Sequence, residues 1–355
     1  MKAVLVSKRF NPGHVSHMVA NAKLLEACGF EVRFNVHKDF LSLSDCDPLV
    51  QKAGLRSSLS LCKGDLLICW FPSISVMFEI MCVKMFTKAT AVYVYHEPYT
   101  SFSSYRSAGF SWIKAVRVTA ISLVSFTICA LCDKIILPST HAFDALSKAK
   151  YDLQRYAKIN LMFADETGAQ TDGLTREFVS YIGTVAEDHA FDDFVRMMEI
   201  CISEKKLLPY KFLIATRSQL PEQHRDVINN CVSSGRLNVQ SGIPMTNCQI
   251  NGYFAQSFVV WNAYKRSMQS GVLPKAYMFA TPVLVSSNNE SEYFQDGVHG
   301  ALISHRYNID EFEQAIVRLQ KNWLVISQNC RKYYLQNFDY RALSREFMRF
   351  VSDLT

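Results

Sequence analysis

No stretch of 18 or more apolar residues occurs in this chain of 355, so no segment of it reads as a bilayer-spanning helix. The nearest is 118–132, fifteen residues without a charge between Arg117 and Asp133. It reads as a helix buried in a first domain, ahead of the alternative of a helix resting on a membrane surface. The opening MKAVLVSKRF has an apolar stretch of only about five residues, which suits a first strand and not a signal peptide. Catalytic signatures are missing as well. Without Gly-x-Gly-x-x-Gly after that strand, a dinucleotide oxidoreductase is not expected, and without Gly-x-x-x-x-Gly-Lys the chain is no P-loop enzyme. Neither His-Glu-x-x-His nor Gly-x-Ser-x-Gly is present. No run of Lys and Arg stands out, so nucleic acid is not an expected partner, although a net charge of +6 suits a phosphate-bearing substrate or a lipid surface. No internal repeat or low-complexity tract occurs.

The eleven cysteines are an odd number without framework spacing, which points to a reducing compartment and a cytoplasmic protein. Cys129 and Cys132 form one Cys-x-x-Cys, but no second pair completes a zinc site and the pair lies in an apolar, helix-like run. Core packing is the reading. The one Asp-x-Asp, Asp45-Cys46-Asp47, sits in a polar stretch and reads as a surface loop rather than a divalent metal site.

What is present is alternation. Short apolar runs at 3–7, 31–36, 65–71, 91–95 and 134–137 read as strands, with helical patterns at 15–28 and 75–88, a long helix up to 132, and another from about 140. The run DLLICWF has the continuous apolar character of a strand buried on both faces. A polar stretch, DETGAQTDG at 165–173, marks a linker. Strands at 178–182, 211–215, 237–240, 258–261 and 283–286 follow, with helices at 191–204, 222–232 and 271–280 and closing helices between 310 and 354. Such alternation predicts an α/β protein of two doubly wound parallel-sheet domains facing a cleft. The expected domains are 1–165 and 166–339, with a C-terminal helix at about 340–355 packing back on the first. Ligands bind such sheets at the carboxyl ends of strands, which directs attention to 11–16, 71–75, 96–101, 183–189, 216–220 and 286–292.

Residues 261–303, WNAYKRSMQSGVLPKAYMFATPVLVSSNNESEYFQDGVHGALI, are the most informative. A strand ends near Trp261, and Gln269-Ser270-Gly271 opens a helix whose first amides could face an anion. A plain helix start in any α/β domain is the equal alternative from these residues alone. Gly271, Pro282-Val283, Glu292, Asp296-Gly297 and Gly300 stand in the order of the donor-binding segment of retaining GT-B glycosyltransferases of family 4, which the stretch resembles. The form Gln-Ser-Gly-Val-Leu-Pro is similar to that of bacterial surface-polysaccharide enzymes. Tyr181-Ile182-Gly183 looks like the family's opening of the second domain. His96-Glu97-Pro98 looks like its histidine motif at a strand end, and Asn11-Pro12-Gly13 like its glycine loop near the diphosphate.

The resemblance implies a GT-B fold of two Rossmann-like domains and transfer of a sugar, with retention, from a nucleotide-sugar donor to a carbohydrate or polyprenyl-linked acceptor. It implies His96, Gln269 and Glu292 at the reacting sugar. Gly13, Gly183, Thr184, His189, Lys265, Arg266, Ser270, Gly271, Val272 and Lys275 would bind the donor. It implies no metal and no cofactor. The cysteine usage suggests the cytoplasm, and the apolar run 118–132, with Arg106, Lys114 and Arg117 just upstream, offers a place peripheral to the inner face of the plasma membrane. Departures from the family pattern are concentrated in the charges. Lys275 falls where the second of two glutamates is usual, and Ser267 or Met268 where the first is. Thr184 and His189 replace an Arg and a Lys that hold the diphosphate, leaving Lys265, Arg266, Lys275 or Arg217 to compensate. A catalytically weak GT-B protein acting as a partner subunit is therefore one alternative, and a sugar-nucleotide epimerase with the same cleft is another.

Overall fold

The computed structural model describes the chain except for residues 9–14, 38–39, 41–54, 96–100, 141–142, 145–152, 169–174, 208, 244, 267–269, 290–291 and 353–355. Two compact units emerge, 1–164 with 337–355, and 165–336.

The first unit is built on a six-stranded parallel sheet of β1 (Lys2–Ser7), β2 (Glu31–Val36), β3 (Leu66–Trp70), β4 (Thr90–Val94), β5 (Lys134–Leu137) and β6 (Tyr156–Lys158), in the order β2-β1-β3-β4-β5-β6. The period-2 alternation of strand side chains divides the strands between two cores. Ala3, Leu5, Leu66, Ile68 and Trp70 face one side, where α1 (Val15–Ala27) contributes Met18, Ala22 and Leu25. Val4, Val6, Leu67 and Cys69 face the other, under α3 (Ile74–Phe86) and α5 (Trp112–Leu131). With helices on both faces every strand residue from Leu66 to Trp70 is buried, which is why the run carries no polar alternation. Short helices α2 (Leu55–Leu59) and α4 (Phe102–Ser107) complete this unit before the linker.

The last helix of the chain, Tyr340–Ser352, returns to the first core with Leu343, Phe347 and Val351 at four-residue spacing. Its entry is pinned by a short backbone pairing: Phe163 N–H donates to Phe338 O at 2.8 Å, and Tyr340 N–H to Phe163 O at 3.0 Å. A buried polar cluster lies beside β2. Glu79 of α3, 2% exposed, accepts from Asn35 Nδ2 at 2.6 Å and from the Ser58 hydroxyl, and pairs with Lys8 Nζ at 3.2 Å.

The second unit repeats the architecture with β7 (Phe178–Ile182), β8 (Lys211–Ala215), β9 (Leu237–Gln240), β10 (Ser257–Asn262), β11 (Val283–Ser286) and β12 (Gly300–Ile303), ordered β12-β11-β10-β7-β8-β9 and all parallel. Its helices are α6 (Phe191–Ser203), α7 (Arg225–Ser233), α8 (Asn247–Gln256), α9 (Val272–Met278) and α10 (Ile309–Asn337), the last interrupted at Asn322. Asp165, the first residue of this unit, is clasped by Arg331: Nη1 reaches Oδ1 at 3.1 Å and Nη2 reaches Oδ2 at 2.5 Å. Burial alone would raise the Asp165 carboxyl, but hydrogen bonds from Arg331 and Thr167 outweigh it and hold it below the usual range. A lowered folded-state value stabilises above the unfolded value of about 3.9 and ceases to do so as pH falls through the folded one. Asp165→Asn is therefore expected to cost about 1.5 kcal/mol at neutral pH. The gap to wild type should close in acid below about pH 4, as calorimetric melts across pH would record.

Four features differ from the sequence reading. The expected long helix ending at 132 is two, because Ala108 caps the first and Gly109 takes φ +97° before the chain restarts at Trp112. The second piece is also longer than its uncharged core, 20 residues, because Lys114 and Arg117 lie within it. It is long and apolar enough to cross a membrane, yet only 22% of its most apolar 18-residue window is buried, which corrects the expectation of a buried helix. Strands β6 and β12 and helices α2 and α8 were not expected at all. The sequence of α8, NCQINGYFAQ, is poor in helix formers and is held by a capping box in which Thr246 and Gln249 bond each other's backbone. Cys129 and Cys132 are buried as expected, and burial pushes the Cys129 thiol up to about 12 and Cys132 in the same direction. The Asp45-Cys46-Asp47 stretch lies outside the described residues.

Candidate functional site

The second sheet changes direction at one place. From β7 the chain moves outward through β8 and β9, then returns to the other side of β7 and moves outward again through β10, β11 and β12. The segments leaving β7 and β10 therefore diverge and open a crevice at their carboxyl ends, the position where doubly wound sheets take ligands.

Gly183 follows β7 directly, at φ +140°, a conformation that favours glycine. A Cβ there would lie 3.6 Å from Val272 Cγ2, so the loop after β7 and the start of α9 are neighbours. Thr184 is exposed. Its carbonyl accepts from the Tyr181 hydroxyl at 2.8 Å and from His189 Nδ1 at 2.7 Å. A carbonyl only accepts, so Nδ1 is the donor in this contact, and Nε2 lies 3.9 Å from Asp188 Oδ1. The His189 ring stacks on Tyr264 with centroids 4.6 Å apart, and Trp261 Nε1 donates to the His189 carbonyl at 3.3 Å. The Tyr264 hydroxyl, whose pKa burial pushes up, is 3.1 Å from Ser270 Oγ, which in turn accepts from Val272 N–H at 3.1 Å. Ser270, Gly271 and Val272 are thus fixed from β10 through one aromatic residue.

The cations near this crevice carry carboxylate partners. Arg266 Nε donates to Asp188 Oδ2 at 2.8 Å, and Lys265 Nζ is 3.2 Å from Asp193. Lys265 N–H also donates to the Asp188 carbonyl at 2.9 Å, tying the two crevice loops together. Lys275 is buried, with Nζ 2.7 Å from Glu166 Oε2, an oxygen that Asn251 also bonds at 2.9 Å. Burial lowers the Lys275 pKa and Glu166 works against that shift. The expectation of Lys275 as a free compensating cation is corrected accordingly: its charge is taken up inside the unit. Arg217 follows β8 and is half-buried.

Glu292 is exposed in the turn after β11 and bonds to Tyr293, whose backbone carbonyl accepts from the Tyr277 hydroxyl at 3.2 Å. Asp296 and Gly297 are architectural. Asp296 Oδ1 caps Leu302 N–H at 2.8 Å, and Gly297, at φ +73°, donates to the Gly300 carbonyl at 2.9 Å. Gly13, His96 and Gln269 lie outside the described residues, as do Ser267 and Met268. The structure brings Gly183, Thr184, His189, Lys265, Arg266, Ser270, Gly271 and Val272 to one strand-end crevice. Tyr264 and Asp188, which organise it, were not anticipated. An aromatic residue three positions past Trp261 was the available signal for the former.

Residues 176–322, within the second unit, match the family model of Glycosyl transferases group 1. No curated protein matches the chain in sequence. Among solved structures, HepE from Anabaena in complex with UDP-glucose is similar at TM-score 0.72 and 13% identity, covering 100% of both chains. A glycosyltransferase from Rickettsia africae is similar at TM-score 0.70 and 11% identity over 99% of this chain and 98% of its own. Sucrose-phosphate synthase from Thermosynechococcus elongatus is similar at TM-score 0.68 and 13% identity, with coverages of 99% and 98%. At these identities the likeness is one of fold, and the fold is GT-B: two Rossmann-like domains, each with a six-stranded parallel sheet.

Proposed function

We propose that the chain is a retaining glycosyltransferase that moves a sugar from a nucleotide-sugar donor to a carbohydrate or polyprenyl-linked acceptor in cell-surface polysaccharide synthesis. It works in the cytoplasm, without metal or cofactor. The observation that carries this reading is the crevice between β7 and β10, which falls within the stretch matching group 1 glycosyltransferases. HepE, with the same fold, was solved with UDP-glucose, so uridine diphosphate sugars are the first donors to test. The diphosphate would lie against the Gly183 and Ser270–Val272 backbone, and the sugar toward Gln269 and Glu292. With no protein nucleophile assigned, catalysis would consist of positioning and of stabilising charge on the leaving phosphate.

A panel of UDP-, GDP- and dTDP-sugars tested by thermal shift checks the donor. A true donor at a hundredfold excess over its Kd stabilises by about 2.7 kcal/mol. The Gly271→Val variant adds the location. Gly271 takes φ −68° and ψ −12°, which valine also adopts, so the variant should fold and melt as wild type does while its donor-induced shift shrinks. No shift with any sugar nucleotide, or a melting point lost in step with donor affinity, would remove the reading of this crevice.

A second reading, a weak or inactive partner subunit, is favoured by one observation: Lys265, Arg266 and Lys275 all have acidic partners. Donor binding without transfer or donor hydrolysis would select it.

A further inference from the structure

The helices on one face of the first sheet are apolar on the wrong side. α3 packs Val76, Ile80 and Val83 into the core, as an amphipathic helix should. Its outer side carries Ile74, Phe78, Met81 and Met85, spaced one helical turn apart and all exposed, Ile74 by 71%, followed by Phe86 at 73%. α5 lies beside α3 on the same core and packs Ala115, Ser125, Ile128 and Cys129 inward. It turns Ile113, 78% exposed, Val116 and Leu123 outward. Single exposed apolar residues are ordinary, but two adjacent helices with continuous apolar outer stripes form a patch that a water-facing surface does not carry.

Among the described residues, the exposed charges on these helices are basic. Lys84 and Lys88 stand at the end of α3, Lys114 and Arg117 in the first turns of α5, and Arg106 on α4, all exposed. The one acid on these three helices is Glu79, which is buried and bound to Lys8. Asp133, just past α5, is matched by Lys84. Trp112 is exposed at the start of α5 beside Lys114, an aromatic-basic pairing suited to the headgroup level of a bilayer. Protein partners that bury apolar surface meet mixed charge and depleted lysine, whereas a predominantly basic rim complements anionic lipid.

We propose that the outer face of α3 and α5 is a membrane-binding surface that lies flat on an anionic bilayer. α5 rests on the membrane and does not cross it. Its inner side is committed to the sheet, and Arg155 Nη2 holds its C-terminal carbonyls at Cys129, 3.0 Å away, and at Cys132, before the chain enters β5. α3 leaves the carboxyl end of β3, and α5 ends where the parallel strand β5 begins, so both helices start toward the carboxyl edge of the sheet. Trp112, Lys114 and Arg117 therefore mark the end of the surface nearest the ligand-binding edge, where a lipid-linked acceptor would have a short path from the bilayer. That consequence rests on the proposed transferase reading; membrane binding itself does not.

The full chain is tested by co-sedimentation with vesicles of phosphatidylcholine alone, or of phosphatidylcholine and phosphatidylglycerol in equal parts. Wild type should pellet with the anionic vesicles and be released in part by salt. Ile113→Glu with Leu123→Glu should lower the partition by about tenfold or more, and Lys114→Glu with Arg117→Glu should abolish the preference for anionic lipid. All four positions are exposed, so both variants should melt like wild type and keep the same nucleotide-induced thermal shift, a readout that reports on the donor crevice independently. Wild type left in the supernatant at low salt overturns the proposal, and so does binding that neither variant changes. A dimer in sedimentation velocity that Ile113→Glu with Leu123→Glu dissociates, without vesicle binding, places a second copy of the chain on the face and overturns it too.

Discussion

Replacing Gly300 by alanine should be among the most damaging single changes in the second unit. Gly300 opens β12 and pairs in register with Val283 of β11. A Cβ built on it would stand 1.9 Å from the Val283 carbonyl oxygen and 2.9 Å from that residue's backbone C and N. The opposing atoms are backbone inside a parallel ladder, so no side chain can swing aside. Relief requires β12 to move off β11, which breaks the pairing through Ser286 and Ile303 and disturbs the buried layer over Val283 and Leu284. Overpacking of this kind costs about 3 kcal/mol or more. In a domain of this size that lowers Tm by about 10 °C. Circular dichroism melts of Gly300→Ala would show it, and a melting point within a degree or two of wild type would sink the argument. Molecules that remain folded at low temperature should keep their donor affinity, because Gly300 belongs to the sheet.

This separates two kinds of information within one sequence signature. Pro282-Val283, Asp296-Gly297 and Gly300 build β11, the turn and β12. Gly271 stands at the crevice. All of them were legible as a motif, but only contacts reveal which hold the fold and which face a ligand.

Six strands were legible to the residue, Glu31–Val36, Lys134–Leu137, Phe178–Ile182, Lys211–Ala215, Leu237–Gln240 and Val283–Ser286, and Lys134–Leu137, Phe178–Ile182, Lys211–Ala215 and Val283–Ser286 among them are largely apolar runs. Burial on both faces writes its signal into every position. Tyr156–Lys158 is an edge strand with a half-buried centre and an exposed end, and so reads as loop. Gly300–Ile303 begins with a residue that weakens strand propensity and is required there for clearance. The uncharged run in α5 was visible but not the side it faces, because a helix apolar all round carries no moment that distinguishes core from surface. The crevice was legible by position, since the carboxyl ends of β7 and β10 follow from topology. Its electrostatics were not. Arg266 and Asp188 are 78 residues apart in sequence, and Lys275 and Glu166 are 109 apart, so nothing local shows that each cation arrives with its own acid.

A loss of transfer by about 10²-fold or more is expected for His96→Ala, the scale of removing one positioned polar group from a closed site. The expectation rests on the residues before His96. β4 runs from Thr90 to Val94 at the centre of the first unit's ladder, and Tyr95 N–H still donates to Ile136 O at 2.9 Å. Tyr95 is 2% exposed, so the chain is held as far as the residue that precedes His96. A neutral imidazole donates one hydrogen bond and accepts another, a pairing suited to the hydroxyls of a sugar. In the family that the His96-Glu97-Pro98 segment resembles, the histidine lies beside the donor sugar. The nucleotide, by contrast, is expected at the crevice of the second unit, where Gly183 and Ser270–Val272 lie. His96→Ala should therefore lower kcat while the thermal shift with the bare nucleoside diphosphate stays near that of wild type. Near-normal turnover would show that His96 only ends a strand. A nucleotide affinity that falls in step with activity would mean that the substitution disturbs the protein as a whole, and the role beside the sugar would fall with it.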